Sequence, residues 1–211
     1  AEIKSIPDFK CISPKQINIT IATRNNGFGH AMYTQIPRIK QPIPLFILFR
    51  ALGIISDKDI CSYIILDIKN QRMKKMLYGL KASITDANKY LTQEECLTYI
   101  TSYAMFTPIN MEKEEGQQKK REFTQNVLNN DLFPHCITEM QKIYFLGYMA
   151  NSLLQTSFGW RNIDDRDSYV NKRIDLAGKL LNNLFRNYFN NIATFPNTFF
   201  FGRLIMMILT M

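Results

Sequence analysis

The hydrophobic period of the chain changes once, and that change sets its fold class. Gln16-Ile17-Asn18-Ile19-Thr20-Ile21 alternates polar and apolar residues, the period of two that a half-buried strand requires. Asn25-Asn26-Gly27-Phe28-Gly29 follows with turn chemistry, because Asn and Gly tolerate positive φ. Ala31 to Ile36 is a second extended run and completes a hairpin. No Gly-Lys-Ser/Thr follows the two glycines, so a hairpin turn explains them better than a phosphate loop.

From Leu45 onward the period is helical. Pro37, Pro42 and Pro44 punctuate the entry, and Pro suits a first helical turn, where its missing N–H costs nothing. Leu45-Phe46-Ile47-Leu48-Phe49-Arg50-Ala51-Leu52 is apolar almost all round, which predicts a buried helix stopped by Gly53. Ser56 with Asp57 and Asp59 predicts an N-cap and first-turn acids. Asn70 opens a helix with Met73, Met76, Leu77 and Leu80 on one face. Thr92 and Glu95 have capping-box spacing, ahead of a face made of Cys96, Tyr99, Ile100 and Tyr103. These Met and Tyr stripes read as core.

Residues 108–118 are polar and aperiodic and predict a mobile loop. Lys119-Lys120-Arg121 then begins a helix with Phe123, Val127 and Leu128, closed by Leu132-Phe133-Pro134-His135. Ile143 to Leu154 and Leu180 to Phe189 are amphipathic. The expectation is an α+β chain, an N-terminal β-hairpin or small sheet followed by a mainly helical body. No internal repeat is visible, and no linker divides the chain before about Asp164.

Composition narrows the partners. Of 211 residues, 46% are hydrophobic, enough for a proper core, and 26 Lys and Arg against 18 Asp and Glu give a net charge of +8. That balance favours solubility or an anionic partner, nucleic acid ahead of membrane because no basic amphipathic anchor stands out. Cys11, Cys61, Cys96 and Cys136 include no close pair, so they read as reduced thiols of an intracellular protein. His30 and His135 lie far in sequence from any cysteine, and no metal site is proposed. The start at Ala1-Glu2-Ile3 shows no signal peptide. The apolar run 199–209 is shorter than the ~20 residues of a spanning helix and is broken by Arg203. The chain reads as a piece of something longer.

Two stretches carry chemistry. Asp164, Asp165 and Asp167 could converge on a hard cation. Arg166 sits inside the cluster, however, and no second acid-rich segment completes a set. Helix capping and dipole effects account for the carboxylates more simply. Lys172 with Asp175, and Tyr169 with Arg173, have the spacing of helix-surface contacts. Arg166, Lys172 and Arg173 suit phosphate contacts or a brace between two substructures. Lys119, Lys120 and Arg121 are open to the same two readings, a solvated face or a phosphate-binding patch.

Phe145-Leu146-Gly147-Tyr148-Met149, Asp164-Asp165-Arg166-Asp167 and Asn171-Lys172-Arg173-Ile174-Asp175-Leu176-Ala177-Gly178 resemble the second-largest subunit of multisubunit DNA-directed RNA polymerases, of the eukaryotic, archaeal and large-DNA-virus type. Ile36-Pro37-Arg38-Ile39-Lys40, Ile43 to Gly53, Lys120-Arg121 and Leu132 to His135 agree in the same order. Several colinear motifs are far more specific than one, and the resemblance runs from about Glu2 to Phe189. It implies a lobe over residues 1–163, the start of a segment returning to the protrusion over 164–192, and an atypical or truncated tail over 193–211.

The resemblance further implies a non-catalytic part that lines the DNA cleft of a nucleotidyltransferase. Lys119, Lys120 and Arg121 would contact phosphate, while Asp164, Asp165, Arg166, Asp167, Lys172, Arg173 and Asp175 would brace the lobe–protrusion junction. Expected partners are the largest and other polymerase subunits, downstream DNA and initiation factors, with no membrane. The fragment itself would carry no cofactor; the Mg²⁺ of the whole polymerase belongs mainly to the largest subunit. The implied location is the nucleus, or the virion or infected-cell cytoplasm for a viral enzyme. A free-standing paralogue that binds a transcription factor or DNA is the alternative. Lys179 departs from the family, which usually has Pro after Gly178.

Overall fold

A computed structural model describes residues 1–5, 14–23, 29–67, 70–107, 112–165, 167–172 and 174–189. The chain divides into two compact units, Ala1–Ile163 and Asp164–Met211.

The first unit opens with a four-stranded antiparallel sheet in the order β1 (Glu2–Ser5), β2 (Lys15–Thr23), β3 (His30–Gln35) and β4 (Ile43–Pro44). The expected alternation sets its register. Asn18 lies opposite both Glu2 and Gln35, and Ile17 and Ile19 turn fully into the core. The predicted turn at 25–28 lies outside the described residues; Gly29, beside it, has φ 78°.

Pro44 then hands the chain directly from β4 to α1 (Leu45–Ala51), every residue of which is buried. Gly53, at φ 101°, ends it by donating its N–H to the Arg50 carbonyl at 3.0 Å. Around α1 lie α2 (Asp57–Ile65), α3 (Gln71–Ala87) and α4 (Gln93–Ser102), followed by α5 (Lys113–Asn126) and α6 (Glu139–Ser157). Ser56 occupies the N-cap position of α2, although its hydroxyl makes no capping bond. Thr92 and Glu95 form the complete capping box that their spacing predicts, and Thr138 with Gln141 forms a second. One hydrophobic cluster runs from Ile17 through Phe46, Met76 and Ile100 to Leu154. The α+β expectation holds: small antiparallel sheet first, helices after.

Two local expectations fail. Residues 113–118, read as loop, form the first turns of α5. Lys, Glu and Gln are good helix formers, Glu114 and Glu115 occupy the dipole-favoured first turn, and Glu115 pairs with Lys119 one turn on. A helix supported in this way has no apolar period to read. The stretch around Asp164 to Asp175 is the converse case: its described residues are turns and irregular backbone, and helix begins only at 177. Asp, Ser and Asn side chains bond nearby backbone groups and compete with helix, so the helical pairing expected of Lys172 with Asp175 does not form as a helix contact; the pairing of Tyr169 with Arg173 lies outside the described residues.

Candidate nucleic-acid interface

The predicted basic triplet projects from the middle of α5. The helix is seated by Phe106 packing against Phe123, ring centroids 5.4 Å apart and tilted by 31°, and by buried Thr124, whose hydroxyl donates to the Lys120 carbonyl at 2.9 Å. Each base has a local partner. Lys119 Nζ meets Glu115 Oε1 at 2.6 Å, Lys120 Nζ donates to the Ser102 carbonyl at 3.2 Å, and Arg121 pairs with Glu94 of α4. All these contacts are solvent-exposed. Exposed ion pairs are worth about 0.2–1 kcal/mol, so a phosphate could replace either carboxylate at little cost.

Beyond α5 the helix widens into a π turn at Val127–Asp131, where the Leu132 N–H reaches back to the Val127 carbonyl at 3.0 Å. The widening leaves carbonyls without their usual intrahelical donors. Lys142, buried on α6, supplies replacements: its ammonium donates to Leu128 O at 2.8 Å and Asn129 O at 2.6 Å. Burial pushes the Lys142 pKa down. The turn ends in buried Asp131, which faces Lys15 of β2 and Arg38, each at 3.3 Å. Arg38 holds φ 63° to do so, a left-handed backbone that costs a non-glycine residue on the order of 1–3 kcal/mol. Its carbonyl accepts the Met105 N–H at 2.9 Å, next to the Ile39–Ala104 bridge.

Arg50 is the other buried charge, and it lies inside the apolar helix α1. Its guanidinium donates to the Ala87 carbonyl at 2.6 Å, to the Tyr90 carbonyl, and to Asp57 Oδ1 at 2.6 Å. Four helices meet at that one side chain or beside it. Burial also pushes the Cys61 and Cys96 thiols up to about 11, so both stay protonated and unreactive at neutral pH. Cys61, Cys96 and Cys136 are free thiols, and Cys11 lies outside the described residues.

The predicted junction residues belong to the second unit. Asp165 closes a turn, its Oδ1 accepting the Asp167 N–H at 2.9 Å and its carbonyl accepting the Asn171 amide at 2.7 Å. Lys172 pairs with Asp167 at 3.0 Å, and Asp175 pairs with Lys179 at 3.1 Å, across the start of a helix, α7, at 177–189. Lys179 thus gains an ion pair at the position where the family pattern has Pro. Asp164 is exposed; Arg166 and Arg173 lie outside the described residues. These carboxylates do not fit a divalent cation, because Asp165 and Asp167 are turned to a backbone amide and an ammonium. Among the described residues no group of three or more His, Cys, Asp or Glu side chains is placed to hold a metal ion. No described helix is long and apolar enough to cross a membrane.

Arg50, Asp131 and Lys142 were not singled out by the sequence as polar anchors. Each sits in or beside an apolar run, which is the one signal available; their partners are mostly backbone carbonyls or lie far along the chain.

Comparison with known proteins adds a lineage. Residues 11–175 match a family model described as RNA polymerase Rpb2, domain 2. The chain is 35% identical over 199 residues to DNA-directed RNA polymerase II subunit RPB2 of Encephalitozoon cuniculi, covering 92% of this chain and 16% of that protein. It is 31% identical over 218 residues to DNA-directed RNA polymerase subunit 2 of Acanthamoeba polyphaga mimivirus, covering 94% and 17%. With DNA-directed RNA polymerase subunit Rpo2 of Saccharolobus solfataricus the figures are 30% over 175 residues, 81% and 14%. The chain spans about a sixth of the length of the curated relatives it matches.

Proposed function

The chain belongs to the RNA polymerase Rpb2 domain 2 family, the lobe region of the second-largest subunit, and from that premise we propose that it serves DNA-templated transcription as a non-catalytic wall of the DNA cleft. Residues 1–163 are the lobe, and 164–192 begin the return toward the protrusion; the tail at 193–211 lies outside the described residues. The observation that carries this reading is the match over 11–175, which takes in strands β2 to β4, the basic helix and the acid–base turns alike.

In this role the chain contributes shape and charge. Lys119, Lys120 and Arg121 meet duplex phosphates downstream, exchanging their exposed partners for phosphate oxygens. Such contacts carry no sequence information and weaken with salt, which suits an enzyme that must advance along any template. In the same reading Asp164, Asp165, Asp167, Lys172 and Asp175 brace the start of the return segment; Arg166 and Arg173, assigned to that role from the sequence, lie outside the described residues. Nucleotidyl transfer and its Mg²⁺ belong to the assembled enzyme, with the largest subunit as principal partner and initiation factors docking on the lobe.

The test is made on the assembled enzyme. Affinity purification of the chain from its native source should recover the largest subunit; recovery of the chain alone supports a free-standing paralogue and overturns the reading. In the purified polymerase, K119E/K120E/R121E should flatten the plot of log affinity for duplex DNA against log salt by about 2–3. An unchanged slope removes α5 from the cleft.

A further inference from the structure

Lys119 and Arg121 of α5 each have an acidic partner; among the described residues the exposed lysines of α3 have none. Lys74, Lys75 and Lys81 are exposed, and none is within ion-pairing distance of a carboxylate among the described residues. The only acid of α3 is Asp86, which accepts the Tyr33 hydroxyl at 2.9 Å. Residues 74, 78, 81 and 85 fall on one stripe of a helix with 3.6 residues per turn. That stripe therefore reads Lys, Tyr, Lys, Thr, and Tyr78 is 82% exposed.

Beside the stripe lies a groove of about 640 Å³ between α3, the end of the β2–β3 pair at Ile21 and His30, and the end of α6. Tyr78, Ala82, Leu154 and Phe158 make it apolar, and Lys81 and His30 stand on its rim; among the described residues no carboxylate lines it. Its volume is within the ~300–1,000 Å³ of small-ligand sites. Gly79 keeps the floor low, since a Cβ there would come within 3.1 Å of Leu154 Cδ2. The Phe158 ring is held in place by stacking on Trp160, with centroids 5.1 Å apart.

We propose that this face binds single-stranded nucleic acid, with a base stacked on Tyr78 over the groove and its flanking phosphates on Lys74, Lys75 and Lys81. The chemistry selects that occupant. Unpaired ammonium groups with no neighbouring acid attract a polyanion, and every base has a π face that an exposed aromatic ring can receive. An acidic peptide satisfies the lysines but leaves the ring and the apolar slot without a partner. A duplex keeps its bases stacked on one another and makes no use of Tyr78. The proposal deepens the nucleic-acid reading above and rests on it, but it assigns a different helix and a different strand state.

Fluorescence anisotropy on the full 211-residue chain tests it, with a labelled 15-mer of thymidine, a 15-base-pair duplex and a poly-glutamate peptide as probes. Y78A, at a surface site, should weaken 15-mer binding by roughly 5- to 100-fold and leave duplex binding unchanged. K74Q/K75Q/K81Q should reduce the single-strand salt slope by about 2, and K119Q/K120Q/R121Q should not change it. Circular dichroism melts confirm that each variant is folded. Equal binding of Y78A and the parent to the 15-mer overturns the proposal, as does poly-glutamate competing as well as the oligonucleotide, which points to an acidic protein partner. If only the α5 variant loses affinity, the cleft reading stands and this one falls; if neither variant does, both fall.

Discussion

Arg50 is 1% exposed, yet it is charged, and its guanidinium shows what a single residue can join. Its partners are Asp57 at the start of α2, the last carbonyl of α3 at Ala87, and the Tyr90 carbonyl ahead of α4. A fork of fixed N–H groups reaches all three; a Lys ammonium has the charge without the fork. R50M keeps much of the apolar stem but strands two carbonyls and Asp57, which is partly solvated. The expected loss is about 3 kcal/mol, toward the lower end for a broken buried pair, with R50K losing less. Urea unfolding followed by circular dichroism measures both, and a loss for R50M under ~0.5 kcal/mol would make Arg50 a passive passenger. The sequence shows an Arg in an apolar helix and stops there. Two of its three acceptors are main-chain oxygens, 37 and 40 residues away, and main-chain oxygens leave no mark in composition or spacing. Asp131 is equally hidden, because nothing in the sequence links it to Lys15 or Arg38.

Legibility at the scale of elements depends on what stabilises each one. β2, β3 and α1 are held by apolar faces, and their periods are readable. The Thr92–Glu95 box is a local pattern, and Thr138–Gln141 is the same pattern with Gln in place of Glu. The start of α5 has only charge pairing and propensity, and the turns at 165–172 have side chain-to-backbone bonds that mimic a capped helix start. Gly147, within the Phe-Leu-Gly-Tyr-Met motif, has its reason only in the packed structure. A Cβ there would lie 2.5 Å from the Tyr63 carbonyl oxygen, so α6 and α2 can approach only over a glycine. That contact is close to the amide of Asn151, which donates to Ile64 O at 2.7 Å and fastens the same pair of helices. Ala is favoured over Gly in a helix by about 1 kcal/mol, but a rigid carbonyl cannot give way. G147A should therefore be net destabilising by about 1–3 kcal/mol. G79A meets the end of the Leu154 side chain at 3.1 Å, a contact a side chain can ease, and the Phe158 ring at an ordinary 3.7 Å, and should come out near neutral. Thermal denaturation of the two variants side by side decides it; a stable G147A would mean that the helices slide apart freely.

Across the whole first unit, the chain's beginning is fastened to a loop that follows more than a hundred residues later. Ser5, buried at the end of β1, bonds His135 Nδ1 at 2.6 Å, and the imidazole lies edge-on to Phe133 and Phe145. Burial lowers the His135 pKa from its ordinary 6.5. The unfolded chain therefore takes up that proton first as pH falls, and the linkage has one sign: stability is full above about pH 6.5 and declines below it until the folded pKa is passed. Glu95 works in a separate window. Amide donors at Thr92 and Leu91 hold its carboxyl below the ordinary 4.5, so its contribution is full above that value and lost beneath it. The melting temperature should thus fall in two stages, the first setting in below about pH 6.5 and the second below the ordinary carboxylate value of 4.5. H135Q, which can still bond Ser5 but cannot titrate, should flatten the first stage and leave the second. E95Q, which can still accept the Thr92 and Leu91 amides but cannot titrate, should do the reverse. If H135Q retains the parent's full decline between pH 7.5 and 5, then the attachment of β1 to the loop is not what that proton disturbs.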